Sequence, residues 1–157
     1  MASNKKSPQE VFSFLIPMQQ DNLLMPSESV AEIVPFMNVS MFESAEKGSD
    51  WHIGNLAWRN MNVPVISLER LQGIQDLGDV RRARIAVIYT LNANQEIPYL
   101  AFTVRGIPRI IPVDDNNSEM LDANPSERGV AAWVSVASKK AMIPDMDAME
   151  IMAKEIR

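Results

Sequence analysis

The residues able to carry chemistry are few. The chain has one histidine, His52, and no cysteine. Thiol catalysis, thiolate metal sites and disulfides are therefore excluded, and a zinc or iron centre would need mostly carboxylates. His52 has no second base, serine nucleophile motif or metal partner near it in sequence, and reads as a strand-edge histidine. Asp114, Asp115 and Glu119 are the acids a minor hydrolase would use. They fall in a polar stretch without glycine or histidine support and read as solvated. What remains is charge: Arg59 stands between two apolar runs, and acids such as Glu32 are available for a guanidinium to meet. A carboxylate meeting a guanidinium accepts charge-assisted hydrogen bonds, which is the chemistry of recognition and bracing. Whether the pair ties two strands together or meets a partner stays open at this level. No catalytic, cofactor-binding or metal-binding residue is assigned.

The element that must position Arg59 is residues 51–71, WHIGNLAWRNMNVPVISLERL. Apolar runs at 52–58 and 63–68 flank Arg59, Asn60, Met61 and Asn62. Asn tolerates positive φ, so Asn60 or Asn62 can close a tight reversal, and the stretch reads as a β-hairpin with a guanidinium at its turn. Pro64 has no backbone donor, which pushes the second strand toward a sheet edge or its own first residues. Ser67 can cap a short helix holding Leu68 and Leu71. Gly54 implies close backbone approach or a positive φ.

Taken in order, residues 1–9 read as a flexible tail, and 10–157 as one domain. A strand over 11–18 is apolar on both faces and belongs inside a closed or sandwiched sheet. After it come a returning strand at 23–25, one helical turn capped by Ser27, and a strand at 32–36. Residues 38–50 read as a polar connection and 72–80 as a Gly-rich loop. Arg81, Arg82 and Arg84 open a strand at 85–91 and read as solvated strand-edge charge. Further strands are expected at 97–104, 109–113, 130–136 and 139–143, with a polar loop at 114–124. Pro144 ends the last strand, and Asp145 or Asp147 caps a terminal helix whose apolar residues are Met146, Met149, Ile151 and Met152. No repeat is visible in the residues themselves.

Length and composition narrow the function. A chain of 157 residues buries roughly 70% of its unfolded surface, so a real core is available. The net charge of −5 disfavours a nucleic-acid partner, because phosphate binding needs a basic face. No apolar stretch approaches the roughly 20 residues of a membrane span, and no signal peptide is readable, so a cytoplasmic location is expected. The 11 methionines are unusual. They fit an adaptable binding surface or, for Met146, Met149 and Met152, core packing at helical spacing.

The central stretch resembles the most characteristic segment of the CheW-like adaptor domains of bacterial chemosensory systems, approximately G-x-x-N-L-R-G-x-x-x-P-V-x-D-L. Gly54, Arg59, Pro64, Val65 and Leu68 fall in register. Ala57 stands for the family's Asn, Trp58 for its Leu, Asn60 for its Gly and Ser67 for its Asp. A second match, Val30-Ala31-Glu32-Ile33 against the family's V-x-E-I, lies at the right distance upstream. The run FSFLIPM and the central segment look most like the divergent (ChpC-like) adaptors of the type IV pilus, or twitching motility, chemosensory pathway.

The resemblance implies a mainly β, CheW-like fold: two small SH3-like β-barrel subdomains side by side, with a short C-terminal helix. It implies a non-enzymatic adaptor, without cofactor, monomeric on its own. Its partners would be the regulatory domain of a CheA-type histidine kinase and the tip of a methyl-accepting chemoreceptor, in arrays at the inner membrane. Val30, Glu32, Ile33, Leu56, Trp58, Arg59 and Asn60 would lie at the receptor interface, and Gly54 at the kinase interface. The alternative is a small-ligand-binding β-barrel or a minor hydrolase. An adaptor is expected to lack a pocket large enough for a metabolite.

Overall fold

The computed structural model describes residues 10–42, 50–74, 78–79, 82–91 and 96–156. The expected tail at 1–9 and Arg81 lie outside the described residues. Twelve strands are described: β1 (Val11–Pro17), β2 (Asn22–Pro26), β3 (Val30–Pro35), β4 (Val39–Met41), β5 (His52–Trp58), β6 (Met61–Ile66), β7 (Arg84–Tyr89), β8 (Tyr99–Val104), β9 (Arg109–Val113), β10 (Ser118–Asp122), β11 (Val130–Val136) and β12 (Lys139–Pro144). Two helices follow β6 and β12: α1 (Leu68–Leu71) and α2 (Met146–Glu155). None of the described helices is long and apolar enough to cross a membrane.

The strands form two six-stranded sheets, in the orders β10-β11-β12-β2-β1-β9 and β4-β5-β6-β8-β7-β3. Read in that direction, each pairing in one sheet has a counterpart of the same sense in the other. Only β12–β2 and β6–β8 are parallel. Both two-residue hairpins place both turn residues at positive φ: Arg59 (46°) and Asn60 (60°) in one, Ala137 (49°) and Ser138 (66°) in the other. Both are followed by a side-chain-capped helix, with Ser67 Oγ accepting from Arg70 N and Asp145 Oδ1 from Ala148 N. The chain is thus a pseudo-repeat, β9–β12 with β1–β2 matching β3–β6 with β7–β8. It escaped the sequence because one unit is split between the two ends of the chain.

Period-two alternation makes three cores from these strands. Ile85 and Val87 of β7 and Ala101 of β8 point into the second barrel with Val63, Val65 and Leu56. Leu15, Leu24, Val134, Val136 and Ala141 fill the first. Their strand neighbours Ile16, Leu23, Ala86, Ile88, Leu100 and Phe102 point the other way, into the largest cluster, where the two barrels meet. Each fully buried aliphatic or aromatic side chain contributes about 1.5–3 kcal/mol. Strands serving two cores at once must be apolar on both faces, which is why β1, β7 and β8 read as continuous apolar runs. In β1 this holds from Ser13 onward; Val11 (47% exposed) and Phe12 (57%) face solvent.

Several sequence expectations shift. The hairpin turn is Arg59-Asn60 alone, and Asn62 lies in β6. Strand β6 is an inner strand, yet Pro64 costs nothing. In a two-residue hairpin the hydrogen-bonded pairs alternate from Trp58–Met61, so Pro64 opposite Asn55 is a non-bonded position, and the pairing with β8 begins only at Val65. The one-turn helix Ser27–Ser29 is preceded by Pro26, with no side-chain cap, so Ser27 does not cap it. Arg84 is exposed, but β7 lies between β3 and β8 and is no sheet edge. Ile151 is 60% exposed and leaves the buried face of α2 to the methionines. Two polar stretches read as loops contain the short edge strands β4 and β10.

Candidate functional site

Glu32 and Arg59 come together. Strand β3, which carries Glu32, is the last in its sheet order and β5 the second, so their contact records the curling of the sheet into a barrel. Arg59 Nη2 lies 3.5 Å from Glu32 Oε1, with side chains 61% and 45% exposed. The shorter bond to that same oxygen comes from the Trp58 indole, Nε1 donating at 2.9 Å. The Arg59 guanidinium lies over the Trp58 ring at 4.4 Å from its centroid, a cation–π contact. The ring meets Tyr99 edge-on at 4.8 Å, and Tyr99 in turn lies 5.4 Å from Tyr89.

The brace is therefore a trio rather than a pair. Trp58 stands where the resembling family has Leu, and a Leu has no N–H to offer the acid. An exposed ion pair of this kind is worth about 0–1 kcal/mol. A double-mutant cycle on Glu32→Ala and Arg59→Ala, read by chemical denaturation, is expected to give a coupling energy under about 1 kcal/mol. A coupling of 2 kcal/mol or more would show that the pair carries the brace without Trp58.

The other interface candidates divide. Val30 and Ile33 are half-buried and pack against the cluster between the barrels. They share a face although three residues apart, because a bulge between Val30 and Glu32 resets the alternation. Phe14, which sequence reasoning left unassigned, packs on the same cluster. Its parity with Ile16 along β1 was the available signal. Exposed Phe12 has the same parity, and Ile110, 61% exposed, pairs with Phe14. Phe12, Phe14 and Ile110 thus make an apolar strip across β1 and β9, and Val30 and Ile33 of β3 pack on the same cluster between the barrels as Phe14. Leu56 and Trp58 line no such strip. At 2% and 7% exposure they belong to the core of the second barrel, because β5 turns them inward at alternate positions. Asn60 is exposed at the turn.

Gly54 is buried in β5, opposite Met41 of β4. A Cβ there would lie 2.3 Å from the Ser40 carbonyl oxygen and 3.0 Å from Met41 Cα. Close approach is thus the reason for glycine, and positive φ is not. The exposed surface beside it belongs to Met41 and Phe42, with Met37 exposed at the other end of β4.

No arrangement for catalysis is seen among the described residues. His52 Nε2 lies 3.1 Å from Asn55 Oδ1, and the ring meets Phe42 edge-on at 4.7 Å. Asp114 Oδ1 accepts from the backbone N–H of Asn116 (2.8 Å) and Asn117 (3.1 Å), so it shapes the β9–β10 turn. Asp115 and Glu119 are exposed. Among the described residues no group of three or more acids and histidines could hold a metal ion. One expectation fails: a cavity of about 470 Å³ opens beside the hairpin, lined by His52, Asn55, Asn62, Pro64, Tyr99 and Ile156 among others.

Comparison with known proteins agrees with this geometry. Residues 10–152 match the family described as CheW-like domain. Among solved structures, the chain is similar to the scaffolding protein TtCheW from Thermoanaerobacter tengcongensis, at 17% identity, with a TM-score of 0.69 over 91% of this chain and 89% of that one. No curated protein matches it. The fold shared with TtCheW, the paired barrels with their C-terminal helix, and the family match over residues 10–152 lead to one placement: this chain belongs to the CheW-like domain family.

Proposed function

We propose that this protein is a non-enzymatic chemosensory adaptor that joins the regulatory domain of a CheA-type histidine kinase to the tip of a methyl-accepting chemoreceptor. The observation that carries the reading is the apolar strip of Phe12, Phe14 and Ile110, with Val30 and Ile33 packed on the same cluster between the barrels as Phe14. A strip of that kind suits the apolar face of an amphipathic helix, as at a receptor tip. The kinase would dock beside β4, where Met37, Met41 and Phe42 are exposed, and Gly54 would serve that surface by letting β4 lie close. Signalling would then be scaffolding, with coupling energy drawn from contacts that differ between receptor states.

The test is a titration with a soluble receptor-tip fragment. Ile33→Asp places a charge among these residues and is expected to weaken receptor binding tenfold or more, about 1.4 kcal/mol or above. Affinity for the kinase regulatory domain and the circular dichroism spectrum should stay unchanged. Undiminished receptor affinity would end the proposal for this groove. A type IV pilus pathway is the narrower reading and rests on the runs FSFLIPM and WHIGNLAWRNMNVPVISLERL. Selective capture of the twitching-pathway kinase over the flagellar one, from the same lysate, tests it. The cavity favours a second reading as a small-ligand-binding barrel. Filling the cavity should spare receptor and kinase binding if the adaptor reading is right.

A further inference from the structure

The buried methionines are not spread through the three cores. Every buried methionine among the described residues (Met18, Met25, Met142, Met146, Met149 and Met152) lies in the cluster between the barrels. The buried members of the two barrel cores include none. The segregation goes further. All six come from the first barrel and α2; the first barrel also adds Ile16, Leu23, Val130 and Trp133, whereas the second barrel contributes Trp51, Ile66, Leu68, Ile88, Leu100 and Phe102 and no methionine. Methionine has three rotatable bonds and adapts to irregular gaps, whereas branched and aromatic side chains hold fixed rotamers. The apolar buried face of α2, Met146, Met149, Met152 and Ala153, is thus the yielding part of the cluster, and the second barrel's side is stiff.

Helix α2 lies on this boundary with distinct ends. Its first turn is held: Asp145 caps it, and Asp145 N donates to Gly129 O at 2.9 Å. Further along, buried Glu150 accepts from Leu91 N of the second barrel at 3.1 Å. Beyond Glu150, Ala153 and Ile156 border the cavity of about 470 Å³, which Asn62 and Pro64 of β6 also line. The C-terminal half therefore presents a yielding face to the cluster and borders open space.

We propose that α2 is a swinging element. It pivots at its capped first turn, Glu150 releases Leu91 N, the methionine face repacks over the stiff wall of the second barrel, and the C-terminal half moves into the cavity. The motion belongs to the chain alone and does not depend on what occupies the apolar strip.

Carbon-13 relaxation dispersion on methionine methyl groups of the full chain reads this motion, because it reports exchange in the microsecond-to-millisecond range. The expected result is exchange that rises along the helix from Met146 to Met152, with flat profiles for the methyls of Val87 and Val134 in the barrel cores. Asn62→Trp, at an exposed cavity-lining position, should fill the space and reduce exchange at Met152 at least twofold; Asn62→Phe serves if the tryptophan variant does not fold. Flat profiles at all three helix methionines would overturn the proposal. So would equal exchange in the barrel cores, or exchange at Met152 that persists with the cavity filled.

Discussion

Gly54→Asp is expected to detach β4 and lower stability by about 3 kcal/mol or more. The clash is with backbone. A Cβ at position 54 would stand 2.3 Å from the carbonyl oxygen of Ser40, and no rotamer relieves a contact made by Cβ itself. Either β5 bows into the barrel core or β4 leaves. Strand β4 is three residues long, lies at the sheet edge and pairs only with β5, so it should yield first. Its loss uncovers Val39, which packs on the second barrel's core. Overpacking alone costs about 1–3 kcal/mol, and the aspartate adds a carboxylate beside a carbonyl in a buried position. For a domain of this size, 1 kcal/mol corresponds to roughly 2–4 °C, so the melting temperature should fall by about 10 °C. Hydrogen exchange should show protection lost at Val39–Met41 before elsewhere. Gly54→Ala should move both measurements the same way by less. The family resemblance places Gly54 at the kinase interface, and the geometry adds that an aspartate there strains the fold itself. A variant at position 54 that melts within 1 °C of the parent would show that β4 can accommodate a side chain after all.

The contrast shows what could be read from the residues. The hairpin was legible because two apolar runs flank residues that tolerate positive φ. Ser67 was legible as a cap, and Asp145 as one of two candidates with Asp147, because each is a short acceptor at the start of a helical run. Strands β4 and β10 were not, since edge strands expose most of their side chains and carry the composition of loops. The bulge that turns Val30 and Ile33 to one face has no signature in their identities. The pseudo-repeat was hidden further by chemistry. Arg59-Asn60 and Ala137-Ser138 make the same turn and share no residue type. At the site, the acid and the arginine were paired from a family pattern. The indole between them was treated as a departure from that pattern, although it makes the shorter bond to Glu32.

Trp58→Ala is expected to be among the most damaging single changes in the chain, at about 3–5 kcal/mol. The side chain is 7% exposed, fills the second barrel beside Tyr99, and anchors Glu32 of β3 through its Nε1–H. The two roles can be separated. Trp58→Phe keeps most of the ring and removes the N–H, leaving Glu32 with Arg59 and solvent. Because Glu32 is 45% exposed, water replaces the lost donor and no orphaned acceptor results. The phenylalanine variant should therefore lose only about 1–2 kcal/mol, mostly in packing and one charge-assisted bond. Trp58→Leu, which installs the residue of the family pattern, should lie between the two. A cycle pairing Trp58→Phe with Glu32→Ala, followed by denaturant unfolding, tests the brace directly. If the indole holds the acid, the double variant loses about 0.5–1 kcal/mol less than the two single losses added together. The strand that Glu32 braces also carries Val30 and Ile33, so loosening it should weaken receptor-tip binding more than it lowers stability. Strict additivity in the cycle would reduce the Trp58–Glu32 bond to a neighbourly contact, and the second barrel would then be closed by its apolar core alone.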